Sequence, residues 1–331
     1  MTLSGTFATV PDLLRLVAVP VFAWVAIRDV KTRRVSSSVW IPFSLLGAVL
    51  LVWDGVLAWN AGGGRWLAFL VPAAISLGFV VPIAYLFWWF GGFGGADAKA
   101  LLVIALFFPT FPQYAVGSWT LPLSITPIGA FSFTILTNAV LVGVTIPVAL
   151  AIRNAAAGRI APVMFIGWPT AWNRVPQTHG SLLETPAGLT RRGLDLDALR
   201  MYLRWRGLSL TEIRDQPGRY RDPTTLPDEP NPPTDGAVTA SGPPLGDGGD
   251  VEMPELTDES VGTDPWGADA FLADIEGTAY GTTPDELRDG LEVLATEETV
   301  WISPGTPFLV PVFVGLVIAL VYGDLLLGTF F

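Results

Sequence analysis

The sequence predicts an all-α polytopic membrane protein, with six transmembrane helices and a cytoplasmic, acidic, partly disordered insertion between helices 5 and 6. Three observations predict it. Of 331 residues, 51% are hydrophobic and only 15% charged, whereas a soluble domain carries about 25% charged residues. The apolar residues gather into runs of the length a bilayer demands, about 20 residues of helix. Most of the acids fall in one stretch between the fifth run and the sixth.

The runs are Val10–Ile27, Val39–Trp59, Trp66–Phe90, Ala98–Gly117, Ile128–Ile152 and Pro307–Phe331. The first is not a cleavable signal peptide. Asp12 and Arg15 stand where a basic region would be, and no small-residue cleavage site follows. The fourth is the least regular, because Pro109 and Pro112 interrupt it. Trp40, Trp59, Trp66, Trp88 and Trp89 stand near run ends, as interfacial aromatics do.

Orientation follows the basic residues of short loops. Arg28, Lys31, Arg33 and Arg34 form the densest cluster, after the first run. Placed in the cytoplasm, they leave the N-terminus outside. Alternation then puts Gly91–Asp97 inside, with Lys99 just beyond, and Arg153 and Arg159 inside as well. The chain is expected to be multi-pass in the plasma membrane, with residues 153–306 cytoplasmic.

The domain organisation follows. Residues 1–152 form a five-helix membrane core, 153–221 a partly helical cytoplasmic segment, 222–306 a largely disordered acidic linker, and 307–331 the sixth transmembrane helix. The 153–306 stretch holds 25 acids against 12 arginines. From Asp222 to Glu298 there are twenty acids and one base, Arg288. Self-repelling sequence rich in Pro and Gly buries too little apolar surface to fold firmly. Earlier in the insertion, Leu194–Leu208 has the pattern of an amphipathic helix, with acids near its start and arginines near its end. Gly207 then reads as its stop and Ser209 as a new N-cap. Two lysines against 17 arginines, beside so many acids, suggest a high-salt cytoplasm and a halophile.

The absence of cysteine excludes disulfides, thiolate catalysis and Cys-ligated zinc. The single histidine, His179, is expected to be a surface or packing residue. No metal, cofactor or nucleic-acid partner is expected. Membrane lipids are.

Outside the insertion there are five acids: Asp12, Asp29, Asp54, Asp97 and Asp324. Ionisable groups near membrane depth are functional suspects. Asp12 and Asp54 fall at the outer interface and Asp324 in the outer part of the last run. Asp29 and Asp97 belong to different helices at one cytoplasmic depth. Two carboxylates that approach closely share a proton, because both cannot ionise cheaply. One then takes a proton from water while the other donates one to a carbonyl. Asp97 follows Gly91-Gly92-Phe93-Gly94-Gly95-Ala96, where glycines let a backbone or an extended substrate come close. Lys31, Arg33, Arg34 and Lys99 bring positive charge to the same margin, as substrate- or lipid-contacting groups.

Asp29-Val30-Lys31-Thr32-Arg33-Arg34-Val35-Ser36 resembles the first aspartate motif of the type IV prepilin peptidases. Gly94-Gly95-Ala96-Asp97-Ala98-Lys99 resembles their second. Ala96 stands where bacterial members have a glycine. That departure fits the archaeal preflagellin/prepilin peptidases, whose pattern allows a hydrophobic residue there. The resemblance implies six spans and metal-free aspartic-type endopeptidase catalysis by Asp29 and Asp97. Gly94, Gly95 and Ala96 would serve as supporting site residues. It also implies cleavage of prepilin or archaellin precursors just after a short basic leader, at the cytoplasmic membrane boundary. N-methylation is not carried over, since it accompanies a cysteine-bound zinc domain. Two other readings remain: a presenilin-like protease, which predicts aspartates deeper within spans, and a transporter or scaffold, which predicts internal repeats.

Overall fold

The structure is a computed structural model that describes residues 7–32, 35–90, 94–191, 193–238, 264–275, 279–305, 307–326 and 328. The chain divides into two compact units, Met1–Ile146 with Pro307–Phe331, and Pro147–Thr306.

The first unit is helical: α1 (Val10–Arg15), α2 (Ala18–Thr32), α3 (Ser37–Ala61), α4 (Gly64–Ile75), α5 (Val81–Trp89), α6 (Gly95–Phe107) and most of α7 (Phe131–Ala156). A π-helical turn, Ser76–Val80, joins α4 to α5, so that Gly64–Trp89 is one continuous helix. Such turns absorb a residue too many in the helical ladder. Here it carries buried Ser76, which donates to Ala105 O at 2.8 Å and sits 2.7 Å from Ser132 Oγ. Four helical stretches are long and apolar enough to cross a membrane: Val10–Thr32, Ser37–Ala61, Gly64–Trp89 and Phe131–Ala156.

The other two expected spans are shorter than expected. The fourth is helical only over the 13 residues of α6, about 20 Å against the ~30 Å of a hydrocarbon core. Pro109 and Pro112 keep the chain from continuing as helix. It turns instead into a hairpin, β1 (Tyr114–Val116) against β2 (Trp119–Leu121). The last span, expected over 307–331, is helical only over α13 (Leu309–Val321). Gly323, at φ 107°, takes a conformation that ends it. Asp324 thus lies in the turn beyond the helix, not within it.

These helices pack through small residues. A Cβ on Gly315 of α13 would stand 2.7 Å from Ala139 N of α7, and one on Gly47 of α3 would stand 2.7 Å from Phe107. Close helix approach of this kind replaces the hydrophobic drive that lipid removes. Phe22, Trp40, Leu50, Leu101, Ile104, Phe131 and Leu316 form the shared apolar interior.

The second unit departs from the all-helical expectation. It holds β3 (Trp168–Ala171), β4 (Ser181–Leu182), β5 (Glu184–Thr185), β6 (Gly188–Leu189), α8 (Leu196–Arg206), α9 (Leu210–Asp215), α10 (Pro217–Arg221), α11 (Ala268–Asp274), α12 (Pro284–Thr296) and β7 (Thr299–Ser303). Strand β7 lies between β3 and β4, antiparallel to both, and its buried Val300 and Ile302 alternate with outward residues. The expected helix is α8. Gly207, left-handed at φ 69°, stops it, and a capping box between Ser209 and Glu212 starts α9.

The expectation of a largely disordered 222–306 linker is corrected over its described part. Phe271, Leu287, Leu291, Leu294, Val300 and Ile302 are fully buried with Leu199, Tyr202 and Leu210 in one core. On α12 the acids Asp285, Glu286, Asp289 and Glu292 lie off the buried face, so its apolar positions remain free to pack. They also cap. Thr283 and Glu286 form a capping box at α12, and Asp264 accepts from Asp269 N and Ala270 N at α11. Part of the acidic stretch, 239–263, lies outside the described residues.

Candidate active site

Asp29 stands in the last turn of α2 and is 9% exposed. A carboxylate is misplaced at the C-terminus of its own helix, where the dipole is negative. It is accommodated by the start of another: Leu309 N, in the first turn of α13, donates to Asp29 Oδ2 at 3.3 Å. The chain's last helix thus brings a positive N-terminal end to an aspartate 280 residues earlier.

Asp97 stands in the first turn of α6, the end that favours a carboxylate. Its Oδ2 accepts from Gly94 N at 3.0 Å. A Cβ on Gly94 would come within 3.2 Å of the same oxygen, so glycine leaves the carboxylate room to fold back. Gly94 and Gly95 are exposed and Ala96 is half-buried.

The basic candidates are distributed differently. Lys31 is exposed in the last turn of α2, where a cation complements the helix end. Lys99 is exposed and donates to Ser37 Oγ at 2.6 Å, joining the start of α6 to that of α3. Arg33, Arg34 and residues 91–93 lie outside the described residues.

The two acids read as interfacial belong to one cluster, with Asp12 buried and Asp54 half-buried. Arg15, 2% exposed, donates to Asp12 Oδ1 at 2.7 Å, to Asp54 and to Phe107 O at 2.6 Å. Tyr114 Oη donates to Asp12 O at 3.0 Å. The cluster joins α1, α3 and the C-terminal end of α6, and roughly 15 Å of helix separates it from Asp97. The signal for it was the i,i+3 spacing of Asp12 and Arg15, with Asp54 inside an apolar run. Asp324, fully buried, accepts from Thr137 Oγ1 at 3.1 Å and from Leu326 N at 2.9 Å, which fixes the turn after α13. The Leu309 N–H had no sequence signal, because its role depends on tertiary placement.

In the second unit, His179 Nδ1 lies 4.0 Å from Asp197 Oδ1. Asp195 caps α8 through Asp197 N at 2.7 Å and Ala198 N at 3.4 Å, and burial pushes its carboxyl up to about 6. Among the described residues, no group of three or more His, Cys, Asp and Glu is placed to hold a metal ion.

A helical membrane protein with an aspartate at the end of one helix and another at the start of a second is the class that fold and site define. Two family models match the chain: Type IV leader peptidase family over residues 16–152, and Archaeal Peptidase A24 C-terminus Type II over residues 269–325. Together they span more than half of it, including α2, α6 and α13. The chain belongs to the type IV leader peptidase family, on its archaeal side, and cleaves the leader peptides of type IV prepilin-like precursors. No individual curated protein matches it.

Proposed function

We propose that this peptidase is of the aspartic type, with Asp29 and Asp97 as its catalytic pair. What supports this reading is that the N-terminus of α13 meets Asp29 at the end of α2, that Asp97 stands in the first turn of α6 beside Gly94, and that both aspartates lie within the stretch matched to the family. One carboxylate takes a proton from a water molecule, and the resulting hydroxide adds to the scissile carbonyl. The other carboxyl donates its proton to the carbonyl oxygen. Collapse of the tetrahedral intermediate returns a proton to the leaving amine. The two groups titrate as a pair, so the roles belong to the pair.

The substrate is a membrane-inserted prepilin or archaellin precursor. Its short basic leader is cut at the cytoplasmic boundary, ahead of a hydrophobic helix. In this reading the protein is multi-pass in the plasma membrane, with α6 and α13 as the short fourth and sixth crossings and the N-terminus outside. Residues 153–306 are then cytoplasmic. Lys31 and Lys99, with Arg33 and Arg34, contact lipid phosphates or substrate at the same margin. Gly94 and Gly95 give the extended substrate backbone access beside Asp97.

The test is co-expression with a tagged prepilin. Asp29→Asn and Asp97→Asn each abolish leader removal, whereas Asp324→Asn leaves it intact. Persistent cleavage in either active-site variant would end the assignment.

A further inference from the structure

In the second unit, α7 hands over to a short turn whose surface is unusually apolar for a connecting loop. The helix carries a row of exposed apolar residues at four-residue spacing: Val140, Val144, Val148 and Ile152, between 51% and 65% exposed. That spacing marks one helix face, and on a spanning helix it is a lipid-facing one. Exposed apolar residues recur just past the end of the helix. Ile160 is 81% exposed, Phe165 52% and Ile166 38%, while Val163 between them is buried.

The turn is built rather than loose. Gly158, left-handed at φ 70°, ends α7, and Arg159 N donates back to Asn154 O at 2.8 Å. The Asn154 side chain, 1% exposed, then donates to Met164 O and to Gly167 O, both at 2.8 Å. Gly167 lies against β7, where a Cβ would stand 2.6 Å from Ile302 O. One buried amide therefore fixes the turn to both the helix end and the sheet. A connecting segment in water is normally polar, and a buried asparagine is a costly device for displaying isoleucine and phenylalanine to solvent.

We propose that this turn, residues 158–167, is a membrane-interface anchor. Ile160 and Phe165 seat in the headgroup and upper acyl region of the bilayer that α7 crosses, and exposed Arg159 meets the lipid phosphates. The occupant is lipid because these exposed apolar residues follow directly on a helix long and apolar enough to cross a membrane, with the basic residue Arg159 at its end. The anchor seats the start of the second unit in the membrane surface. The inference rests on α7 being a span, and not on the identity of the catalytic residues.

The chain has no cysteine, so single cysteines label cleanly. The full-length protein carrying Ile160→Cys, Phe165→Cys, Val144→Cys or Glu212→Cys is labelled with an environment-sensitive fluorophore. Each is reconstituted in vesicles of equal parts phosphatidylcholine and phosphatidylglycerol. Labels at 160 and 165 are expected to be quenched by headgroup-proximal spin-labelled lipid about twofold more than the label at 212, and shielded from aqueous iodide. The label at 144 responds to spin labels deep in the acyl chains. If 160 and 165 meet iodide as freely as 212 while 144 stays protected, the anchor is refuted and the span stands. If 144 is also open to iodide, α7 does not cross and the proposal falls with it. Shielding of 160 and 165 only after prepilin is added assigns the surface to substrate and overturns the lipid reading.

Discussion

Arg206 in the second unit and Asp29 in the first are both ionisable side chains shut away from solvent, one set in a packed core and the other where two helix ends meet. Arg206, 5% exposed, donates to Tyr202 Oη, Tyr220 O, Trp266 O and Thr225 Oγ1, all within 2.8 Å. Arg200 is treated likewise, by Gly236 O and Thr178 O. Buried Asp264 pairs with Arg288 and caps α11. In that unit a buried charge is met by several partners, and it specifies the packing of its neighbours. In the first unit the Arg15 cluster follows the same rule at one end of α6. At the other end stand Asp29 and Asp97, which on the proposed reading share one site. Satisfied charge is architecture. Like charge held together costs stability and is a feature of sites that move protons.

That contrast is sharpest when both ends of α6 are altered. Asp29→Asn or Asp97→Asn lowers cleavage by at least roughly 10²–10⁴-fold, the contribution of a positioned acid or base. Thermal unfolding should hold steady or rise, since a like-charge repulsion is removed. Arg15→Ala does the reverse. It leaves Asp12 and Asp54 buried without their cation, at a cost of about 3–5 kcal/mol, seen as a lower midpoint of unfolding. Arg15→Met combined with Asp12→Asn and Asp54→Asn recovers most of that loss. If Asp97→Asn unfolds the protein and Arg15→Ala spares it, the two ends have been assigned the wrong way round.

The same distinction explains what was legible in the sequence. The long spans were, because uninterrupted apolar runs such as Ser37–Ala61 have few other fates. The proposed pair rests on the same kind of signal, since Asp29 and Asp97 stand out against apolar surroundings and glycines. The ends of α6 and α13 were less so. Pro109 and Gly323 act locally, and hydropathy averaged over a run passes straight across them. The ordered acidic region was misread because composition counts charge without regard to face. Leu287, Leu291 and Leu294 recur at helical spacing within α12, and that periodicity was the signal overridden by the acid count. The donation from Leu309 N to Asp29 was out of reach, since 280 positions separate the partners and no side chain marks the donor.

Packing between the helices gives a smaller effect, and it concerns the same convergence. Gly315→Ala would push a methyl group into Ala139 N and Ile135 O of α7, at 2.7 and 2.9 Å. Separating α13 from α7 is expected to cost about 1–3 kcal/mol. Because α13 presents Leu309 N to Asp29, cleavage should fall further than the loss of folded protein accounts for. Activity normalised to folded protein measures this, and unchanged normalised activity would detach α13 from the site.

The smallest effect tests the second unit on its own terms. Asp195 is the carboxylate there that burial penalises most visibly, with Asp197 adding repulsion and two backbone N–H donors opposing both. Its carboxyl is raised from 3.8 to about 6, so the folded state holds this proton to a higher pH than the unfolded chain. The stabilising contribution is complete below pH 3.8 and is lost as pH rises through about 6. Asparagine caps a helix about as well as aspartate and carries no titrating proton. Asp195→Asn should therefore match the parent protein in acid and exceed it at neutral pH by on the order of 1 kcal/mol. Its unfolding midpoint should vary less across the intervening pH range. An equal pH dependence in both proteins would mean that the cap hydrogen bonds already satisfy the charge. Asp195 would then join Arg206 among the groups held by several partners in its unit.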